Sequence, residues 1–186
     1  MILLTTSRRP TSKIRTFCRD LARSIPSVVR VNRGKLNLDG IAEKALEFDA
    51  DRVMIVDQWK GEPGKIGLFR AGPEGLTPVP PLIHVASVKL QRDFGAKFKL
   101  ARSLIVTTPP EESHDVLKIA DSLSSFLDVP RSSMDEAVSK HQVSMRVMHV
   151  SSDALHRTRI TFMLLPETIE VGPRITVSSL VWETLR

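Results

Sequence analysis

The segment Leu3–Pro26, LLTTSRRPTSKIRTFCRDLARSIP, returns without a gap as Ile105–Asp128, IVTTPPEESHDVLKIADSLSSFLD, 102 positions later. Thr5-Thr6 meets Thr107-Thr108. Ile14, Phe17, Cys18, Leu21 and Ile25 meet Val116, Ile119, Ala120, Leu123 and Leu127. These positions follow the spacing of one helix face, and every one of them is apolar in both copies. A second block, RVMIV from Arg52, returns as RVMHV from Arg146 at an offset of 94, and Ile66 meets Ile160 at the same offset. A chain that repeats strand, helix and hairpin in this way must build one supersecondary unit twice. The expected class is α/β, with two pseudo-repeated halves, each a small mixed β-sheet with packed helices. The halves are expected at 1–90 and 103–186. A basic connector, 91–102, joins them and carries Arg92, Lys97, Lys99 and Arg102 with Phe94 and Phe98.

Within the first copy, Ile2–Thr6 reads as a buried strand and residues 11–25 as an amphipathic helix that Pro26 ends. Val28–Val31 reads as a strand, and Asp39 as the cap of a helix over Gly40–Phe48. Arg52–Val56, Ile66–Phe69 and Ile83–Val88 read as further strands, with Gly61-Glu62-Pro63-Gly64 as a turn between the first two. In the second copy, Ser133 and Glu136 have the spacing of a capping box.

The copies differ in charge. Residues 1–35 hold Arg8, Arg9, Lys13, Arg15, Arg19, Arg23, Arg30, Arg33 and Lys35 against the single acid Asp20, a net +8, while the whole chain is only +6. TSRRPTSKI of the first copy stands as TPPEESHDV in the second, which is expected to put Glu111 and Glu112 in the first helical turn, where the dipole favours acids. The arginines are therefore not demanded by the fold. Thr6 and Ser7 with Arg8 and Arg9 combine hydroxyls, guanidinium forks and backbone N–H groups at a helix start, a pattern that holds phosphate. Lys13 and Arg15 extend it along the helix, and the loop Asn32, Arg33, Gly34, Lys35 adds a second cationic element. A polyanion-binding face is the functional reading; a solvated basic helix is the bland one. Aromatic stacking platforms are not evident, so recognition is expected through shape and backbone.

No catalytic constellation stands out. His84, His114, His141, His149 and His156 lack metal-ligand spacing, and His149 reads as a cross-strand residue. Cys18 lies on the apolar helix face and reads as a buried structural thiol. Gly64-Lys65 lacks the remaining residues of a phosphate loop. Asp49, Asp51, Asp57 and Glu62 flank one strand, where a magnesium-dependent nuclease would hold its metal; capping and turn roles explain them equally. No cofactor is expected. Apolar residues make up 41%, no run approaches the ~20 residues of a membrane span, Met1 leads straight into a strand, and one cysteine excludes an internal disulfide. A soluble, cytoplasmic protein is expected, and scarce Asn and Gln lean towards a thermophile.

LLTTSRRPTSKIRTF followed by RVNRG resembles the opening of the Brix-domain family of ribosome-biogenesis proteins. Glu170-Val171-Gly172-Pro173-Arg174 resembles that family's closing signature, and Gly61-Glu62-Pro63 its mid-domain hairpin. The lack of extensions is similar to a compact archaeal member. The resemblance implies one Brix domain whose halves are each like the anticodon-binding domain of class II aminoacyl-tRNA synthetases. It implies a non-enzymatic protein that binds ribosomal RNA or its precursor, with other ribosome-assembly proteins as further partners. Carried over by position, Arg8, Arg9, Asn32, Arg33 and Gly34 belong to the amino-terminal motif. Arg174 belongs to the closing one, as an RNA contact or as an ion pair fixing a strand start. The rivals are the nuclease above and a protein-interaction module docking an acidic partner.

Overall fold

The structure is a computed structural model and describes residues 1–95, 102–140 and 145–183. Lys97, Phe98 and Lys99 of the connector and His141 lie outside the described residues. The first half runs β1 (Ile2–Thr6), α1 (Ser12–Ser24), β2 (Val28–Arg30), α2 (Leu38–Glu47), β3 (Arg52–Trp59), β4 (Glu62–Gly72) and β5 (Gly75–Lys89). A single 3-10 turn, Gln91–Phe94, follows. The second half then runs β6 (Ile105–Thr108), α3 (His114–Leu127), β7 (Arg131–Ser133), α4 (Met134–Lys140), β8 (Met145–Ser152), β9 (Thr158–Leu165) and β10 (Ile169–Val181).

The two small sheets expected from the repeat are one. Ten strands form a continuous mixed sheet in the order β2-β1-β3-β4-β5-β10-β9-β8-β6-β7. β1 pairs in parallel with β2 and β3, β6 does so with β7 and β8, and β5 joins the halves by pairing antiparallel with β10 from Arg174↔Lys89 to Val181↔Leu82. Each half alone would end on an open strand edge with unpaired N–H and C=O groups; pairing the two edges satisfies both. β5 is far longer than Ile83–Val88 because its first part, with Pro78, Pro80 and Pro81, carries the residues that argue against a strand in sequence.

Alternate residues of β1 and β3 face opposite sides, so both strands read as continuous apolar runs. Ile2, Leu4, Met54 and Val56 join Ile14, Phe17, Cys18 and Leu21 of α1 on one face, in a core that also contains Val116, Ile119, Leu123 and Phe126 of α3. Leu3, Val53 and Ile55 pack under Ile41 and Ala45 of α2 on the other face, and Ile105, Val147 and Leu165 pack under Ala137 of α4. Thus α1 and α3 share the main core, whereas α2 and α4 cover separate satellites.

The helix starts follow local chemistry, with three shifts from expectation. Thr11 caps α1 and Ser113 caps α3, each accepting from the N–H three residues on. Asn37, not Asp39, caps α2, its Oδ1 accepting from Gly40 N at 2.8 Å. Glu111 and Glu112 precede the α3 cap and do not enter its first turn. Glu112 instead accepts from Ser152 N at 2.9 Å and Ser152 Oγ at 2.8 Å, closing its loop onto the end of β8. At α4, Ser133 Oγ accepts from Glu136 N at 3.2 Å, but the Glu136 carboxylate bonds Ser132 and Lys140, so only half of the capping box forms.

The repeated arginines cross between halves. Arg52 Nη1 donates to Phe126 O in the last turn of α3 at 2.9 Å, and Arg146 Nη1 donates to Ser24 Oγ, 3.2 Å, and Arg23 O, 3.4 Å, at the end of α1. Each cation thus meets carbonyls that a helix end leaves without intrahelical donors.

Candidate functional site

The parallel strands β1, β2 and β3 end together. The order β2-β1-β3, with α1 and α2 on opposite faces, makes their carboxyl ends a topological switch point, where loops diverge and leave a crevice. The loop 7–11 follows β1, the loop 31–37 follows β2, and the β3–β4 hairpin follows β3. Backbone and side chain tie these segments: Ser7 N donates to Val56 O at 3.0 Å, Val31 N to Leu4 O at 3.0 Å, and Thr5 Oγ1 to Val31 O at 3.1 Å.

Arg33 is the strut between the first two loops. Its Nη1 donates to Thr6 O at 3.4 Å and its Nε to Leu36 O at 3.1 Å. Burial pushes its pKa below the ordinary arginine value; Asp57 opposes the shift, and the like charge of Arg8 adds to it. Arg8 and Arg33 therefore share one electrostatic site. Arg8, Arg9, Arg15, Asn32, Gly34 and Lys35 are exposed, and among the described residues Arg8, Arg9, Arg15 and Lys35 form no ion pair. Ser7 Oγ is enclosed and makes no hydrogen bond among the described residues. Such a group favours a donor or acceptor brought to it.

Three expected site residues are otherwise engaged. Thr6 is buried and its hydroxyl donates to Ser7 O at 2.9 Å. Lys13 pairs with Glu62 at 2.5 Å. Arg174 is clasped by Glu170, with Nε donating to Oε1 at 2.6 Å and Nη2 to Oε2, and it lies 5.3 Å from the Phe94 ring centre. Of the two roles open to Arg174, the geometry is that of the ion pair. Gly172 has φ +63, and a Cβ there would stand 2.4 Å from Phe94 Cε2, so the closing signature seats the 3-10 turn. From that turn, Gln91 Nε2 reaches Ser24 Oγ at 2.9 Å and Gly172 O at 3.2 Å.

The acids that would serve a nuclease are not gathered. Asp51 pairs with the Met1 amine, Arg52 and Arg70; Asp57 with Lys65; and Glu62 with Lys13. Asp49 occupies the turn after α2 at φ +53. No group of three or more His, Cys, Asp or Glu with metal-holding geometry occurs among the described residues. Burial pushes the Cys18 thiol up to about 12, as a structural thiol requires. His149 is a cross-strand residue, with Nδ1 3.1 Å from Thr107 Oγ1. Among the described residues no helix is long and apolar enough to cross a membrane.

The structure moves the hairpin turn one residue earlier than the 61–64 expected from sequence. The turn is Lys60-Gly61, which Thr11 ties to the start of α1, and it leaves Trp59 exposed. An aromatic next to a two-residue turn was the signal available in sequence.

No family model matches the chain. A probable Brix domain-containing ribosomal biogenesis protein of Methanopyrus kandleri is 32% identical over 180 residues, covering 92% of this chain and 90% of the relative. Its namesake from Pyrococcus horikoshii is 30% identical, covering 98% and 85%. The crystal structure of a probable ribosomal biogenesis protein from Aeropyrum pernix K1 is similar at TM-score 0.79 and 26% identity, covering 97% of this chain and 98% of that one. An archaeal Imp4-like protein shares the fold at TM-score 0.66 and 18% identity, covering 97% and 99%. With this sheet, these two loops and these relatives, the chain belongs to the Brix-domain family of ribosomal biogenesis proteins.

Proposed function

We propose that the chain is a non-enzymatic RNA-binding assembly factor in ribosome biogenesis, acting in pre-rRNA processing and subunit maturation. It binds ribosomal RNA or its precursor through phosphate contacts of the β1–α1 and β2–α2 loops. The observation that carries this reading is the group Arg8, Arg9 and Lys35, exposed and without acidic partners among the described residues at the ends of parallel strands, with Arg33 bracing the loops from below. Unneutralised guanidinium groups at such a place attract an anion of matching geometry, and phosphate is that anion. Asn32 and Gly34 let the second loop approach a backbone closely. Arg15 extends the cationic face along α1. Thr6, Lys13 and Arg174 act as supports.

The reading includes one Brix domain of two similar halves, 1–90 and 103–186, joined by 91–102. The equal order of elements in the two halves supports it, as does the crossing of Arg52 and Arg146. The reading takes each half to resemble the anticodon-binding domain of class II aminoacyl-tRNA synthetases. The protein works in the cytoplasm, without a cofactor, alongside other assembly proteins.

Binding to a labelled rRNA precursor fragment, titrated across salt, tests the site. Removing two phosphate contacts by Arg8→Ala with Arg9→Ala should lower the slope of log affinity against log salt by roughly 1.4, and weaken binding at moderate salt by about tenfold or more. Unchanged affinity and slope would remove the site assignment.

A further inference from the structure

We propose that Trp59 is a stacking platform for an unpaired RNA base next to the phosphate-binding loops, an inference that rests on the RNA-binding reading above. Trp59 is 70% exposed, although an indole is among the largest apolar groups a core can absorb. Three features hold it there.

Trp59 pairs with Glu62 across a two-residue turn, with Lys60 at φ 49 and Gly61 at φ 82, the geometry of a type I′ hairpin. Immediately behind it the register shifts: Asp57 pairs with Lys65 but Gln58 with Pro63, so Gly64 is a bulge residue. A Cβ on Gly64 would stand 2.5 Å from Trp59 Cβ and 2.9 Å from Trp59 N, so glycine is required for the strand to bend under the indole. Bulges re-aim side chains in this way. The hairpin is then fastened to the start of α1, where Thr11 Oγ1 donates to Gly61 O at 2.7 Å and Lys13 pairs with Glu62. The hairpin tip is therefore tied to Thr11, two residues after Arg9.

The surroundings name the ligand class. Trp59 borders a cleft of about 810 Å³ whose lining includes Lys60, Glu62, Lys65 and His84, with Lys65 3.6 Å from Asp57 and Glu62 paired to Lys13. An aromatic face beside Lys60 fits a base with its phosphate, and stacking tolerates any base because each has a π-face. The second half provides an internal contrast. At the matching hairpin, Asp153 stands in the place of Trp59, accepts from Leu155 N and Arg157 N at 2.9 Å each and folds its loop shut, with only the smaller ring of His156 at the tip. The ligand is accordingly RNA with unpaired nucleotides, rather than uninterrupted duplex.

The chain has two tryptophans, so Trp182→Phe leaves Trp59 as sole reporter. That variant is titrated with a single-stranded oligoribonucleotide and with the same strand in a duplex. Single-stranded RNA should quench the emission and duplex should not. Trp59→Ala in the otherwise unaltered protein should bind the single strand about tenfold more weakly, with duplex affinity within about twofold. Trp59→Phe should retain most of the affinity. If Trp59→Ala binds the single strand as tightly as the parent while the Arg8, Arg9 double variant binds it less, the stacking platform is overturned and the RNA-binding reading stands. If the parent binds neither RNA at low salt, both are overturned. Should Trp182→Phe not fold, the affinity series alone decides.

Discussion

Replacing Arg52 with Met removes a charge from the joint between the halves while keeping most of the side-chain volume. Arg52 is 9% exposed, and its Nη1 donates across the molecule to Phe126 O at 2.9 Å. Its second partner, Asp51, has a side chain 55% exposed and contributes little in water. What is lost is a buried hydrogen bond from a charged group, worth about 1.5–3 kcal/mol, and a cation at the α3 carboxyl end, worth about 0.3–2 kcal/mol. The Phe126 carbonyl is also left without that donor. The expected loss is about 2–5 kcal/mol. At a urea slope of about 3 kcal/mol/M, the unfolding midpoint should fall by roughly 0.6–1.7 M. One transition is expected, because α1 and α3 share a core and β5 pairs with β10. Arg70→Met removes an exposed pair with the same Asp51 and should cost under about 1 kcal/mol. A loss for Arg52→Met no larger than that of Arg70→Met would refute the view that the crossing arginines hold the halves together. Two separate transitions in the parent would refute the shared core.

Gly172→Ala must both adopt φ +63 and place a Cβ 2.4 Å from Phe94, so it should destabilise by about 2–5 kcal/mol in the same assay. Burial raises the Glu170 carboxyl, but hydrogen bonds from Arg174 and Thr161 and the charges of Arg174 and Arg159 outweigh it and hold the pKa below the ordinary value. A depressed folded pKa gives stability that is present above the unfolded pKa and lost as pH falls through the folded one; Glu170→Gln should therefore flatten the fall of the urea midpoint below ~pH 5. Cys18, its thiol pushed up to about 12 by burial, should resist a thiol reagent in native protein and react stoichiometrically in urea; fast native labelling would contradict its place under α1.

Much of the fold is a local property and was legible as such. The apolar stripe Ile14, Phe17, Cys18, Leu21 and its counterpart from Val116 set two helices, and the runs Ile2–Leu4 and Val53–Val56 set two strands buried on both faces. The excess of cations in the first copy over the second was equally plain, because charge is counted along the chain. What the sequence could not rank was which cations remain available. Lys13 and Arg174 are claimed by Glu62 and Glu170, while Arg8 and Arg9 are not, and ion pairing depends on neighbours that folding supplies.

By itself, then, the sequence determined the repeated unit, the helix faces and the position of the positive charge. The tertiary structure decided that two sheets become one through β5 and β10, that Arg52 and Arg146 each serve the other half's helix, and that Trp59 stands in water rather than in the core. Edge pairing is a backbone interaction between segments far apart in the chain, blind to side-chain pattern. The exposure of one indole rests on a two-residue turn and one glycine bulge, whose direction exists only once β3 and β4 have paired.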